Sequence, residues 1–119
     1  EILDVITDNK SDLHFCVFDE LYSGTNPEEA ETSATAFMLY LQKYENVFSL
    51  LTTHFVKVCK KLDKIKTIKN CKMDSEKINN KIKYTYKLKS GISTVKGGIN
   101  VLTEMNYPKE IIDNTIKNN

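Results

Sequence analysis

The run Leu13 to Phe18 is short, nearly continuous in apolar residues and rich in Phe and Val, and it stops abruptly at Asp19-Glu20. A run of that length and composition reads as a strand buried on both faces. After Leu21 to Thr25, Asn26 is placed to cap a helix, Pro27 to occupy its first position, and Glu28 and Glu29 to meet its positive end. Ala30, Ala34, Phe37, Met38 and Leu41 then recur at helical spacing until the pattern runs out near Tyr44. Val47 to Thr53 is a second buried-strand candidate, ending at His54-Phe55. Strand, helix and strand at these lengths predict two parallel strands joined by a right-handed crossover.

Around this unit the pattern is looser. Ile2, Leu3 and Ile6 suit the end of a helix, and Asp8 to Asp12 form a polar break. Val56 to Leu62 reads as a short helix and Thr67 to Met73 as a third strand. From Ile78 to Leu88 the period changes to two, with Ile82, Tyr84, Tyr86 and Leu88 on one face and Lys81, Lys83, Thr85 and Lys87 on the other. The spacing predicts a half-buried antiparallel strand with a turn at Asn79-Asn80, its tyrosines serving as core rather than as stacking platforms. Ile99 to Met105 and Pro108 to Lys117 read as two short helices broken at Asn106-Tyr107. The fold class expected is α/β, with parallel strands and crossover helices, an antiparallel ribbon and C-terminal helices.

A length of 119 residues fits one domain or part of one, and 40% hydrophobic with 28% charged residues excludes wholesale disorder. All 17 basic residues are Lys, so no arginine finger or Arg fork comes from this segment. Charge is divided: residues 1–55 hold 2 Lys against 10 acids, and residues 56–119 hold 15 against 6. Cys16, Cys59 and Cys71 are odd in number and widely spaced, which fits a reducing intracellular compartment, cytoplasm or nucleus, better than a disulfide framework. No apolar stretch approaches the ~20 residues of a membrane span. The chain starts at Glu1 without a leader pattern and is expected to be a fragment of a longer protein.

Two consecutive acids at the carboxyl end of a buried strand lie where open α/β sheets bind ligands. In P-loop ATPases this is the Walker B arrangement: the first acid helps hold Mg²⁺ and the second orients and deprotonates the attacking water. A strand that merely ends in solvated acids before a turn is the plain alternative. His54, at the end of the neighbouring strand, brings an imidazole to the same sheet edge, able to hydrogen-bond a γ-phosphate or the attacking water.

Asp19 to Pro27, Leu51-Thr52-Thr53-His54-Phe55, Ile68 to Met73, Tyr86 to Gly91, Gly98-Ile99 and Tyr107 to Ile112, in this order and spacing, resemble successive landmarks of the ATPase domain of the MutS DNA mismatch repair family. The resemblance covers nearly all of the chain. It implies that residues 1–119 are the C-terminal half of a MutS-type, ABC-type P-loop ATPase domain, and that the full-length protein is an ATPase using ATP and Mg²⁺. Asp19 would be the magnesium ligand, Glu20 the general base and His54 the γ-phosphate switch, with Gly24 and Thr25 also in the nucleotide site. The loop of Gly24 and Thr25 would face a second ATPase copy, making the protein a homo- or heterodimer, and domains upstream of Glu1 would bind mismatched or branched DNA. No membrane is implied.

Tyr22-Ser23 stands where mismatch repair members usually have Gly-Arg, and the following Thr25-Asn26-Pro27 is closer to the branch associated with recombination control. A Gly-x-x-x-x-Gly-Lys-Ser/Thr loop does not occur in these 119 residues, so the fragment by itself is expected to be inactive, with that loop upstream. ABC transporters and chromosome-maintenance ATPases usually continue the acid pair with Ala-Leu-Asp, unlike this turn. His14, Cys16, His54, Cys59 and Cys71 lack zinc-site spacing. A different class of reading is a non-enzymatic basic nucleic-acid-binding module carried by Lys57, Lys60, Lys61, Lys64, Lys66 and Lys69. Cys59 and Cys71 read as small apolar fillers, and Gly24 as supplying a special backbone conformation braced by Thr25.

Overall fold

The structure, a computed structural model, describes residues 1–79, 81–95 and 97–118. The chain divides into two compact units, Glu1–Asn70 and Cys71–Asn119.

The first unit holds helix α1 (Ile2–Asp8), strand β1 (His14–Asp19), helix α2 (Pro27–Leu41), strand β2 (Val47–Thr52) and helix α3 (Val56–Leu62). β1 and β2 pair in parallel with His14 opposite Val47 and Asp19 opposite Thr52, as the spacing predicts. Asn26 caps α2 through its Oδ1, which accepts from the Glu28 N–H at 2.9 Å, and Pro27 opens the helix. Ala30, Ala34, Met38 and Leu41 form its buried stripe. The two alanines let α3 approach closely, so that Ala30, Ala34 and Met38 close over Phe55, Val58 and Leu62. A second cluster joins Ile6, Phe18 and Leu41, with the Phe18 and Phe37 rings edge to face at 5.2 Å.

The sheet is buried on one face rather than two. Cys16, Phe18 and Leu51 pack inward, whereas the cross-strand pairs Phe15–Phe48 and Val17–Leu50 lie on the exposed face, Phe15 at 72% and Phe48 at 57% exposure. Apolar residues on both faces of β1 made the strand readable as doubly covered; the covering layer on one face is not supplied by residues of this unit.

The second unit is an antiparallel ribbon, β3 (Cys71–Ile78) with β4 (Lys81–Ser90), followed by α4 (Gly97–Glu104) and α5 (Lys109–Lys117). This corrects the expected third strand at 67–73. Residues 65–70 form turns closed by the Ile68 N–H to Ile65 oxygen bond, and the Asn70 amide is anchored to the Cys59 carbonyl at 2.9 Å, so extended structure begins only at Cys71. Asn79 of the expected turn has φ 50°, the left-handed conformation such a turn uses; Asn80 lies outside the described residues.

The alternation of β4 also breaks. Met73 pairs with Leu88 and Ser75 with Tyr84, so Thr85, Tyr86 and Lys87 face Asp74 alone. This bulge turns Tyr86 out at φ 58° and 85% exposure, with Tyr84 and Leu88 also exposed and only Ile82 half-buried on the expected core stripe. Asp74 braces the bulge: its carboxylate meets the Lys89 ammonium at 2.8 Å and accepts from the Thr85 hydroxyl at 3.3 Å. Between α4 and α5, Asn106 at φ 54° breaks the helical path where the sequence predicted it.

Leu41, fully buried beside Ile6 and Phe18, is expected on truncation to Ala to lower unfolding stability by about 2–5 kcal/mol in denaturant melts. The Lys89 hydrogen bond holds the Asp74 carboxyl below its ordinary value. Its contribution is therefore present above the unfolded-state value and is lost as pH falls through the lowered folded value. Protection factors of the β3 and β4 amides, with intrinsic exchange divided out, should fall in that acid range, and Asp74→Asn should abolish this acid-dependent step.

Candidate functional site at the carboxyl edge of the parallel pair

Parallel pairing fixes the site. Because Asp19 and Thr52 are register partners, the residues following each strand leave the sheet at the same edge. The ladder runs one step further, with the Glu20 N–H donating to the Thr52 carbonyl at 2.9 Å and lying 3.3 Å from the Thr52 hydroxyl. That hydroxyl donates to Asp19 Oδ1. Glu20 Oε1 in turn lies 3.3 Å from His54 Nδ1. Asp19, Glu20 and His54, singled out from sequence, are thus brought together. Thr52 is the member that sequence reasoning missed, although its place two residues before His54, at the end of the partner strand, signalled it.

Both acids and the imidazole are exposed, the Glu20 side chain at 53% and the His54 side chain at 61%. The His54 ring leans on Phe55 with centroids 4.4 Å apart, and buried Phe55 anchors the start of α3. The Phe55 N–H bonds the Thr53 hydroxyl at 3.1 Å, which ties the strand end to the helix entrance. The imidazole is therefore held over the sheet edge by the same packing that closes the core.

The turn after the acids is tight. Glu20 at φ 49° and Tyr22 at φ 64° take left-handed backbone, and the Ser23 N–H returns to the Glu20 oxygen at 3.0 Å. Gly24 does not have positive φ, and a Cβ there would meet nothing within 4 Å, so the special conformation expected of it is supplied instead by Glu20 and Tyr22. Thr25 does brace the turn, its hydroxyl 3.4 Å from Glu29 Oε2. Neither Gly24 nor Thr25 contacts Asp19, Glu20 or His54 through a hydrogen bond among the described residues. Tyr22 packs its ring edgewise on Phe37 at 6.4 Å.

Among the described residues, no group of three or more His, Cys, Asp or Glu side chains could hold a metal ion. Cys59 is half-buried with its thiol pushed up by burial, which suits a filler, but Cys71 is exposed and does not fill the core. Nor is any helix among the described residues long and apolar enough to cross a membrane.

Adjacent carboxylates and an imidazole thus stand together at the carboxyl edge of a parallel strand pair, the place where open α/β sheets bind ligands. The family model for MutS domain V matches residues 1–119. The chain belongs to the MutS family. It is 29% identical over 104 residues to DNA mismatch repair protein spellchecker 1 of Drosophila melanogaster, covering 87% of this chain and 11% of that protein. It is 28% identical over 114 residues to DNA mismatch repair protein MutS of Aquifex pyrophilus, covering 94% and 13%, and 30% identical over 109 residues to MutS of Bacteroides thetaiotaomicron, covering 90% and 13%. The chain thus spans little more than a tenth of the length of these curated relatives.

Tyr22 occupies left-handed backbone that glycine adopts freely and aromatic residues disfavour by about 1–2 kcal/mol. Tyr22→Gly should relieve that strain while losing the contact with Phe37, leaving stability within about 1 kcal/mol of the parent. Tyr22→Val, β-branched at positive φ, should be clearly less stable than either in thermal melts.

Proposed function

We propose that this chain supplies the Walker B and switch elements of an ATPase, within a full-length MutS-family protein that works on mismatched or branched DNA. The observation that carries the reading is the Glu20–His54 approach at 3.3 Å beside Asp19, across two parallel strands. Its chemistry suits ATP and Mg²⁺. A hydrated magnesium ion held mainly by phosphates and waters needs only one or two carboxylates, so a three-residue cage is not required. Asp19 would hold that ion, which neutralises charge on the phosphates when bound.

In this reading Thr52 orients the Asp19 carboxylate through its hydroxyl, leaving the other oxygen free to face magnesium or its water shell. Glu20, exposed and aimed from the turn, accepts the proton of the attacking water. With Nδ1 donating to Glu20, His54 would be the tautomer whose Nε2 is an acceptor, able to take a hydrogen bond from the attacking water. Gly24 and Thr25 form the approach to the site on a loop held by the Asn26 cap, where a second ATPase copy would meet it. Phosphate binding itself requires backbone N–H groups of a Gly-x-x-x-x-Gly-Lys-Ser/Thr loop, a motif these residues do not contain. The 119-residue polypeptide alone is accordingly expected to show no measurable ATP turnover.

The test uses the full-length chain. Glu20→Gln should abolish steady-state ATP hydrolysis, by roughly a hundredfold or more, while ATP binding persists. Asp19→Asn should weaken magnesium-dependent nucleotide binding. Small and equal effects of the two substitutions would remove the assignment.

A further inference from the structure

Helix α3 carries Lys57, Lys60 and Lys61 at i, i+3 and i+4, a spacing that gathers them on one side, and exposed Lys64 follows in the turn after it. The opposite side, with Val58 and Leu62, is buried in the core. Lys66 and Lys69 extend the cluster along residues 65–70. That segment is braced against α3, because the Asn70 amide donates to the Cys59 carbonyl at 2.9 Å and to Asp63 Oδ1 at 3.0 Å, and against the end of α2, where the Thr67 hydroxyl donates to Gln42 at 2.9 Å. The lysines are presented from a pinned surface.

Their charge is scarcely compensated. Asp63 is the single acid between residues 56 and 70, and its carboxylate is engaged by Asn70. Lys57 meets Glu31 at 3.4 Å, but Lys60, Lys61, Lys64, Lys66 and Lys69 make no ion pair among the described residues. Like charges at i, i+3 and i+4 cost a few tenths of a kcal/mol each, so the pattern opposes stability of the isolated unit. A polyanion laid along this side would reverse the sign of that term. Lys ammonium groups, unlike Arg forks, are point charges that fit phosphates without reading bases.

We propose that the α3 lysine face is a sequence-independent contact for the phosphate backbone of duplex DNA, separate from the nucleotide edge. Separation follows from the fold. α3 leaves that edge at Val56, and its lysines lie along and beyond its length of about 10 Å. The choice of DNA as the polyanion rests on the proposed role of the full-length protein.

The experiment measures binding of the full-length protein to a fully paired, fluorescein-labelled duplex by anisotropy, between about 50 and 200 mM salt. Replacing Lys60, Lys61 and Lys64 together by Gln should make the slope of log affinity against log salt shallower by about 2–3, since each phosphate contact contributes about 0.9. The corresponding triple Arg variant should keep the parent slope, and DNA-free ATP turnover should be unchanged in both. Should the Gln triple not fold, Lys60→Gln and Lys64→Gln singly should each remove about 0.9. An unchanged slope overturns the proposal. So does an unchanged duplex slope accompanied by loss of binding to phosphatidylserine vesicles, which would make the surface a membrane contact. Failure of the ATPase assignment would appear separately, as turnover surviving Glu20→Gln.

Discussion

The parallel ladder between β1 and β2 is the constraint on which the site depends. Its register sets Asp19 beside Thr52, and one further backbone bond carries Glu20 to the same edge. Slipping a strand by one residue would exchange the faces of every side chain and separate the acids from His54. Packing of Phe18 on β1 and Leu51 on β2 against the core opposes such a slip, because the slipped strand would carry its own core residue to the exposed face. The geometry of an exposed polar cluster is thus determined by apolar packing some residues away. Threonine at position 52 adds the finer adjustment, linking the Asp19 carboxylate and the Glu20 backbone through one hydroxyl.

The two faces of the same sheet divide the work. One carries the core with α2, through Phe18, Cys16 and Leu51. The other presents Phe15, Val17, Phe48 and Leu50 to solvent, an apolar surface that ordinary soluble units keep covered. The loop after β1 shows a similar tension between local cost and placement. Glu20 and Tyr22 hold left-handed backbone, and the turn they make drops the chain into the Asn26 cap of α2.

Much of the first unit was legible in sequence because local and long-range signals agreed. The Asn26-Pro27-Glu28-Glu29 start, the Ala30 to Leu41 stripe and the two apolar runs gave α2, β1 and β2 nearly to their ends, and Val56–Leu62 is a helix as read. The convergence of Asp19, Glu20 and His54 followed from parallel pairing alone. What failed did so for identifiable reasons. Thr67 to Met73 has strand-like residues, but Asn70 uses its side chain to close a turn on α3, a contact that no periodicity encodes. Tyr86 sits at the right parity for the core, yet a bulge braced by Asp74 rotates it outward, and bulges leave no period-two signature. In the turn after β1 the left-handed positions fall on Glu20 and Tyr22 rather than on Gly24.

The register of two parallel strands joins Glu20 and His54, which in the proposed function makes the two act as one unit. A double-mutant cycle on ATP turnover by the full-length protein, with Glu20→Gln, His54→Ala and the pair, measures this most directly. Residues in contact couple by about 0.5–3 kcal/mol, so the double variant should be little slower than the slower single variant. Multiplicative effects of the two substitutions, with no coupling beyond error, would contradict the account.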